Sequence, residues 1–90
     1  MEGLPATQLL TTPGKALPLG ATVHPAGVQF ASFSRHATSV SLLLFDDPQD
    51  TEPSEEIVLD PWKNRTGDIW HIFVHGLGPG QLYLYRVDGP

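Results

Sequence analysis

Glycine and proline interrupt this sequence so often that they leave no room for long helices. Nine glycines and nine prolines occur in 90 residues, and both residue types are unfavourable inside a helix. Between the interruptions, apolar residues recur with a period of two, as in strands that bury one face. We therefore predict strands over residues 28–33, 39–45, 56–59, 69–74 and 81–87. Short strands joined by short links predict an all-β fold, an antiparallel immunoglobulin-like β-sandwich.

The first residues do not share this alternation. Five glycine and proline residues fall between positions 5 and 20, so residues 1–17 are predicted to form an extended arm. Residues 18–90 then form a single β-sandwich module, in keeping with the length of one domain. Gly89-Pro90 follows the last strand directly, and we interpret this as a boundary to a further domain.

The alternation also predicts which side chains point inward. The predicted structural core consists of Phe30, Val40, Leu42, Trp70, Leu82 and Leu84. With both leucines of the last strand inside, Tyr83 and Tyr85 face outward, because successive side chains of a strand alternate. Two exposed aromatic rings are suited to burial against another domain or to stacking on a sugar. We favour the interdomain contact, formed by Tyr83, Tyr85, Arg86 and Val87.

The sugar-binding alternative adds a third aromatic residue. Trp62 follows Pro61 in a loop, where the simplest interpretation is an indole that folds back onto the sheet edge. Glucan binding instead requires aromatic platforms with polar groups beside them. The candidate glucan-binding residues are Trp62, Tyr83 and Tyr85.

Composition argues against several other classes of function. The net charge is −5, from ten acidic and five basic residues, and no basic cluster is present that would bind nucleic acid or an anionic membrane. No apolar run approaches the roughly 20 residues of a membrane span. Six of the acidic residues lie within positions 46–56, and such a run is typical of a solvated loop.

No catalytic or metal-binding pattern is visible. The chain has no cysteine, and its four histidines follow no metal-ligand spacing. No serine lies on a glycine-flanked elbow, and nothing holds two carboxylates across a groove as glycoside hydrolysis requires. We therefore predict no catalytic residue, no metal and no cofactor in this chain.

Seven segments together carry a resemblance to a known family. They occur in this order: PLGA at 18–21, GVQFA at 27–31, FS at 33–34, HATSV at 36–40, TGDIWH at 66–71, PGQLY at 79–83 and YRVDGP at 85–90. With these segments, residues 18–90 resemble the N-terminal domain of isoamylase-type glycogen debranching enzymes. That domain is a β-sandwich of the early-set type, in carbohydrate-binding module family 48.

The resemblance implies a role in a larger enzyme. Such a parent hydrolyses α-1,6 linkages of glycogen or starch in a (β/α)₈ barrel, here expected beyond residue 90. This chain would be a non-catalytic accessory domain that packs on the barrel and helps to shape the glucan site. An independent glycogen- or starch-binding module and a generic immunoglobulin-like interaction domain are the alternatives. The expected location is the cytoplasm of a bacterium, or the plastid stroma of a plant or alga.

Overall fold

Two antiparallel sheets form the protein in a computed structural model, which describes residues 9–89. Eight strands follow one another: β1 (Thr11–Thr12), β2 (Gly20–His24), β3 (Gly27–Phe33), β4 (Ser39–Phe45), β5 (Glu55–Val58), β6 (Arg65–Thr66), β7 (Ile69–His75) and β8 (Leu82–Asp88). The described residues contain no helix, and so none that could cross a membrane. This architecture confirms the predicted antiparallel β-sandwich.

The sheets differ in size. The larger sheet has the order β1-β7-β3-β2, with β6 paired to the remaining part of β7, and the smaller sheet has the order β5-β4-β8. Each sheet contains one long pairing of two seven-residue strands, β3 with β7 and β4 with β8. The chain changes sheets after β3, β5 and β7, as in a sandwich whose faces enclose one core.

The core lies between the two sheets. Its buried members are Val28, Phe30, Ala37, Val40, Leu42, Leu44, Leu59, Trp70, Ile72 and Val74. Four of the six predicted core residues are among them, and Trp70 is only 1% exposed. Residues on β3 and β7 meet residues on β4 because alternate side chains of each strand point to the same interior.

The prediction that Leu82 and Leu84 belong to the core is wrong. They are 36% and 60% exposed, whereas Tyr83 and Tyr85 pack against the core. The register explains the difference, because Tyr83 pairs with Leu44 and Tyr85 with Leu42, both of which point inward. Residues directly opposite in an antiparallel pair share a face, so the tyrosines follow their partners into the interior.

The described part of the predicted arm lies against the larger sheet. Thr11 and Thr12 pair with β7, and the next residues cross the outer face of that sheet. Lys15 N–H donates to Gln29 Oε1 over 3.0 Å, and Gln29 Nε2 donates to Leu17 O over 3.3 Å. Residues 13–17 therefore cover part of this face, and we call them the strap. The remainder of the arm, residues 1–8, lies outside the described residues.

Candidate functional site

The outer face of the smaller sheet carries three exposed apolar side chains. Val58 on β5 is 69% exposed, and Leu84 on β8 is 60% exposed. Both pair with outward-facing residues of β4, Val58 with Ser41 and Leu84 with Leu43. Strand alternation thus places them on one side of the sheet. We call this surface, formed by Val58, Leu82 and Leu84, the outer apolar face.

An ion pair crosses this face. Arg86 Nη1 contacts both carboxylate oxygens of Glu56, at 2.9 and 2.8 Å. Glu56 lies on β5 and Arg86 on β8, so the pair joins the two edge strands over the central strand β4. Its charges cancel, and the outer apolar face therefore presents little net charge between its apolar side chains.

A groove borders the outer apolar face. It encloses about 220 Å³ and is lined by Phe45, Pro48, Leu82, Tyr83 and Leu84, together with Asp47 and Asp50. The two aspartates belong to the predicted acidic loop, and Asp47 N–H donates to Asp50 Oδ2 over 3.1 Å. An apolar floor with an acidic margin favours an apolar partner surface that also carries basic groups.

The tyrosines are placed differently from the prediction. The ring centroid of Tyr83 lies 4.8 Å from that of Phe30 and 5.8 Å from that of Tyr85, both in edge-on geometry. Each tyrosine is half-buried on the interior side of β8. Val87 shares this side but remains half-exposed at the margin of the sandwich. The outward surface of β8 is therefore formed by its leucines and Arg86.

The Tyr85 hydroxyl is a buried polar group. Its Oη is inaccessible to solvent and has no hydrogen-bond partner among the residues that the structure describes. Burial raises the pKa of the Tyr85 hydroxyl well above its ordinary value, and the neighbouring Tyr83 raises it further. The group stays neutral at physiological pH, but its lost hydration opposes folding.

We expect Tyr85→Phe to stabilise the fold. Removing an unsatisfied hydroxyl while keeping the ring should raise the free energy of unfolding by about 1 kcal/mol. Urea denaturation followed by circular dichroism measures this change. Tyr83→Phe is the matched control, because the Tyr83 hydroxyl is not a buried group without a hydrogen-bond partner. If Tyr85→Phe destabilises the fold and Tyr83→Phe does not, the Tyr85 hydroxyl has a hydrogen-bond partner.

Trp62 projects into solvent from a hydrogen-bonded turn. Its side chain is 93% exposed, so the interpretation that it folds back onto the sheet is wrong. Asp60 Oδ1 accepts from Trp62 N–H over 2.8 Å, and Asn64 Oδ1 accepts from Asp60 N–H over 2.9 Å. These hydrogen bonds fix the backbone of the turn from which the indole projects. Asn64 is itself buried and engaged in the turn.

The three candidate glucan-binding residues do not form one platform. Tyr83 and Tyr85 pack against the sandwich core, while Trp62 extends into solvent from the turn between β5 and β6. A cavity of about 200 Å³ beside this turn is lined by Thr11, Thr12, Pro13, Lys63 and Asn64. The turn thus offers one exposed ring with polar groups nearby.

The strap covers part of the outer face of the larger sheet. Beneath it, His71 Nδ1 donates to Pro13 O over 2.6 Å, and His71 Nε2 forms a hydrogen bond of 2.8 Å with Thr66 Oγ1. Both ring nitrogens of His71 therefore have a hydrogen-bond partner. Within residues 9–89, no three histidine, aspartate or glutamate side chains converge to hold a metal ion.

Comparison with known proteins agrees with the sequence resemblance. Residues 18–90 match the family described as carbohydrate-binding module 48 (isoamylase N-terminal domain). The chain is 49% identical over 78 residues to Isoamylase 1, chloroplastic, of Oryza sativa subsp. japonica, a match that covers 84% of this chain and 10% of that protein. Over 79 residues it is 49% identical to the glycogen debranching enzyme of Serratia proteamaculans, covering 88% and 11%. The chain spans about a tenth of the length of the curated relatives it matches.

Proposed function

The chain belongs to the carbohydrate-binding module 48 family, the isoamylase N-terminal domains, and we propose that it is the non-catalytic accessory domain of a larger debranching-type enzyme. In this proposal the remainder of the enzyme, with a (β/α)₈ catalytic domain, hydrolyses α-1,6 linkages of an α-glucan. This chain supplies no catalytic group. It packs on the catalytic domain and helps to shape the glucan site.

The observation that carries the proposal is the outer apolar face. Val58 and Leu84 are more than half exposed on the same side of one small sheet, on its two edge strands, with the ion pair of Glu56 and Arg86 between them. A sheet face with this composition is normally covered by another layer, and exposed apolar patches mark interaction sites. On the larger sheet the strap covers part of the outer face, whereas Phe33 on that face remains exposed. We therefore place the interdomain contact on the outer apolar face, with Arg86 beside it, rather than on Tyr83 and Tyr85.

A two-component binding experiment tests the docking. The partner is rice Isoamylase 1 from which the segment matching this chain has been deleted, and calorimetry measures the affinity of the 90-residue chain for it. We expect Leu84→Asp to weaken binding at least tenfold, because a carboxylate would be desolvated at the centre of the contact. Val58→Asp should also weaken the binding.

Phe33 provides the matched control. It is 60% exposed, the same fraction as Leu84, but it lies on the larger sheet. Phe33→Asp should leave the affinity unchanged. Equal losses for Phe33→Asp and Leu84→Asp, or no binding by the unsubstituted chain, would contradict docking through the outer apolar face.

A second function, glucan binding by the module itself, is favoured by the exposure of Trp62. The flat apolar face of an indole can pack on the C–H face of a sugar ring. The polar groups of the turn beside it can form hydrogen bonds with the hydroxyl groups of the sugar. In a native gel cast with glycogen, we expect the chain to be retarded and Trp62→Ala to abolish the retardation. Leu84→Asp should not affect it. Retardation that survives Trp62→Ala would place any glucan site elsewhere.

A further inference from the structure

The free edge of β8 is an unprotected strand edge. β8 pairs only with β4 in the described part of the chain, and this pairing runs without a bulge over seven residues. Natural edge strands are usually shielded by charged side chains, above all lysine, or by proline, bulges, shortness or a covering segment. β8 contains no proline, lysine or bulge, and its charged residues, Arg86 and Asp88, lie in its second half. Its first four positions, 82–85, alternate leucine and tyrosine.

The backbone groups along this edge can be identified from the register. Val40 O accepts from Leu59 N–H over 2.9 Å, so the groups of Val40 point toward β5. Because these directions alternate along a strand, Leu42 and Leu44 also point toward β5. Their partners on β8 must then point away from β4. The residues whose N–H and C=O groups face the free edge are Tyr83, Tyr85 and Val87.

The side chains next to the edge suit an apolar extended segment. Leu82 and Leu84 flank it on the outer side, and the half-buried tyrosines flank it on the interior side. The positive charge of Arg86 is neutralised by Glu56. A strand added at this edge would extend the smaller sheet. Its side chains would alternately lie beside the two leucines on the outer side and beside the two tyrosines on the interior side.

We propose that one extended strand from the remainder of the enzyme chain adds to the free edge of β8 when the domain docks. The proposal rests on the proposed function, because the edge is continuous with the outer apolar face through Leu82 and Leu84. The relatives are about ten times as long as this chain, so the remaining polypeptide can supply such a segment. Docking then includes main-chain hydrogen bonds as well as side-chain packing.

Amide hydrogen exchange with single-residue resolution tests this strand addition. The samples are the 90-residue chain and a chimera of rice Isoamylase 1 that carries this chain in place of its matching segment. Retained debranching activity shows that the chimera is folded. We expect the amides of Tyr83, Tyr85 and Val87 to exchange at least tenfold more slowly in the chimera. The amides of Leu84 and Arg86, which point toward β4, are the internal controls and should be slow in both samples.

Three outcomes would overturn the proposal. If those edge amides exchange equally fast in both samples while Leu84→Asp still weakens docking, strand addition is wrong and the proposed function stands. If they are already protected in the 90-residue chain in a concentration-dependent manner, the edge is covered by a second copy. Protection there that is independent of concentration would mean that the chain covers its own edge.

Discussion

Replacing Trp70 by alanine is expected to remove about 3–5 kcal/mol of stability, the range observed when a large aromatic side chain is deleted from a core. Trp70 is 1% exposed and lies on the interior side of β7. The guanidinium carbon of Arg65 lies 4.9 Å from the centroid of its ring and covers it. Domains are stable by only roughly 5–15 kcal/mol, so this one substitution should bring the chain close to unfolding.

Thermal denaturation followed by circular dichroism measures the effect of Trp70→Ala. A loss of this size lowers the melting temperature of a small domain by at least about 12 °C. Trp62→Ala removes the same atoms from an exposed position and should leave the melting temperature almost unchanged. Similar shifts for the two variants would mean that burial does not distinguish the two indoles.

Replacing Gly27 by alanine is expected to destabilise the sandwich by about 2–3 kcal/mol, as overpacking in a close-packed region does. Gly27 begins β3 where that strand meets β7. A Cβ atom there would overlap Val74 O and would lie 2.9 Å from His75 Cα. Both are backbone atoms of the neighbouring strand, so relief requires the strands to separate rather than a side chain to rotate.

Gly78 is the matched control for this substitution. A Cβ atom at Gly78 meets nothing within 4 Å, and its φ is not positive. Gly78→Ala should therefore change the free energy of unfolding, measured in urea, by less than about 0.5 kcal/mol. A loss for Gly27→Ala as small as that for Gly78→Ala would contradict the close approach of β3 and β7.

The long strands could be predicted from the sequence because their apolar alternation is strong. The predicted strand over 39–45 coincides with β4, and those over 28–33 and 69–74 each lack one residue of β3 and β7. The predictions over 56–59 and 81–87 are shifted by one residue from β5 and β8. The edge strand β2 was not predicted. Of its five residues, Gly20–His24, only Val23 is large and apolar, and Val23 is half-exposed. An edge strand buries too little to require a strong pattern.

The orientation of β8 was the main error in predicting the candidate site. Leucine and tyrosine alternate there, and either set can fill a core, so a shift of one residue exchanges the two faces. A signal was nevertheless present in the sequence, because Arg86 and Asp88 fall on the same side as the leucines. Two charged residues on one side indicate that this side faces outward.

The exposure of Trp62 could not be predicted from its neighbours in sequence. A tryptophan after a proline can fold against a sheet or extend from it. The turn bonds from Asp60 and Asn64 determine which occurs. These hydrogen bonds depend on the backbone geometry of the turn between β5 and β6. The alternation of apolar residues in the sequence does not indicate that geometry.

The strap gives the two sides of this domain unequal roles. Gln29 and His71 hold residues 13–17 over part of the larger sheet, so the two sides of the domain present different surfaces. Rotating the domain by half a turn therefore does not present an equivalent surface. In the proposed docking, only one orientation brings the outer apolar face to the neighbouring domain.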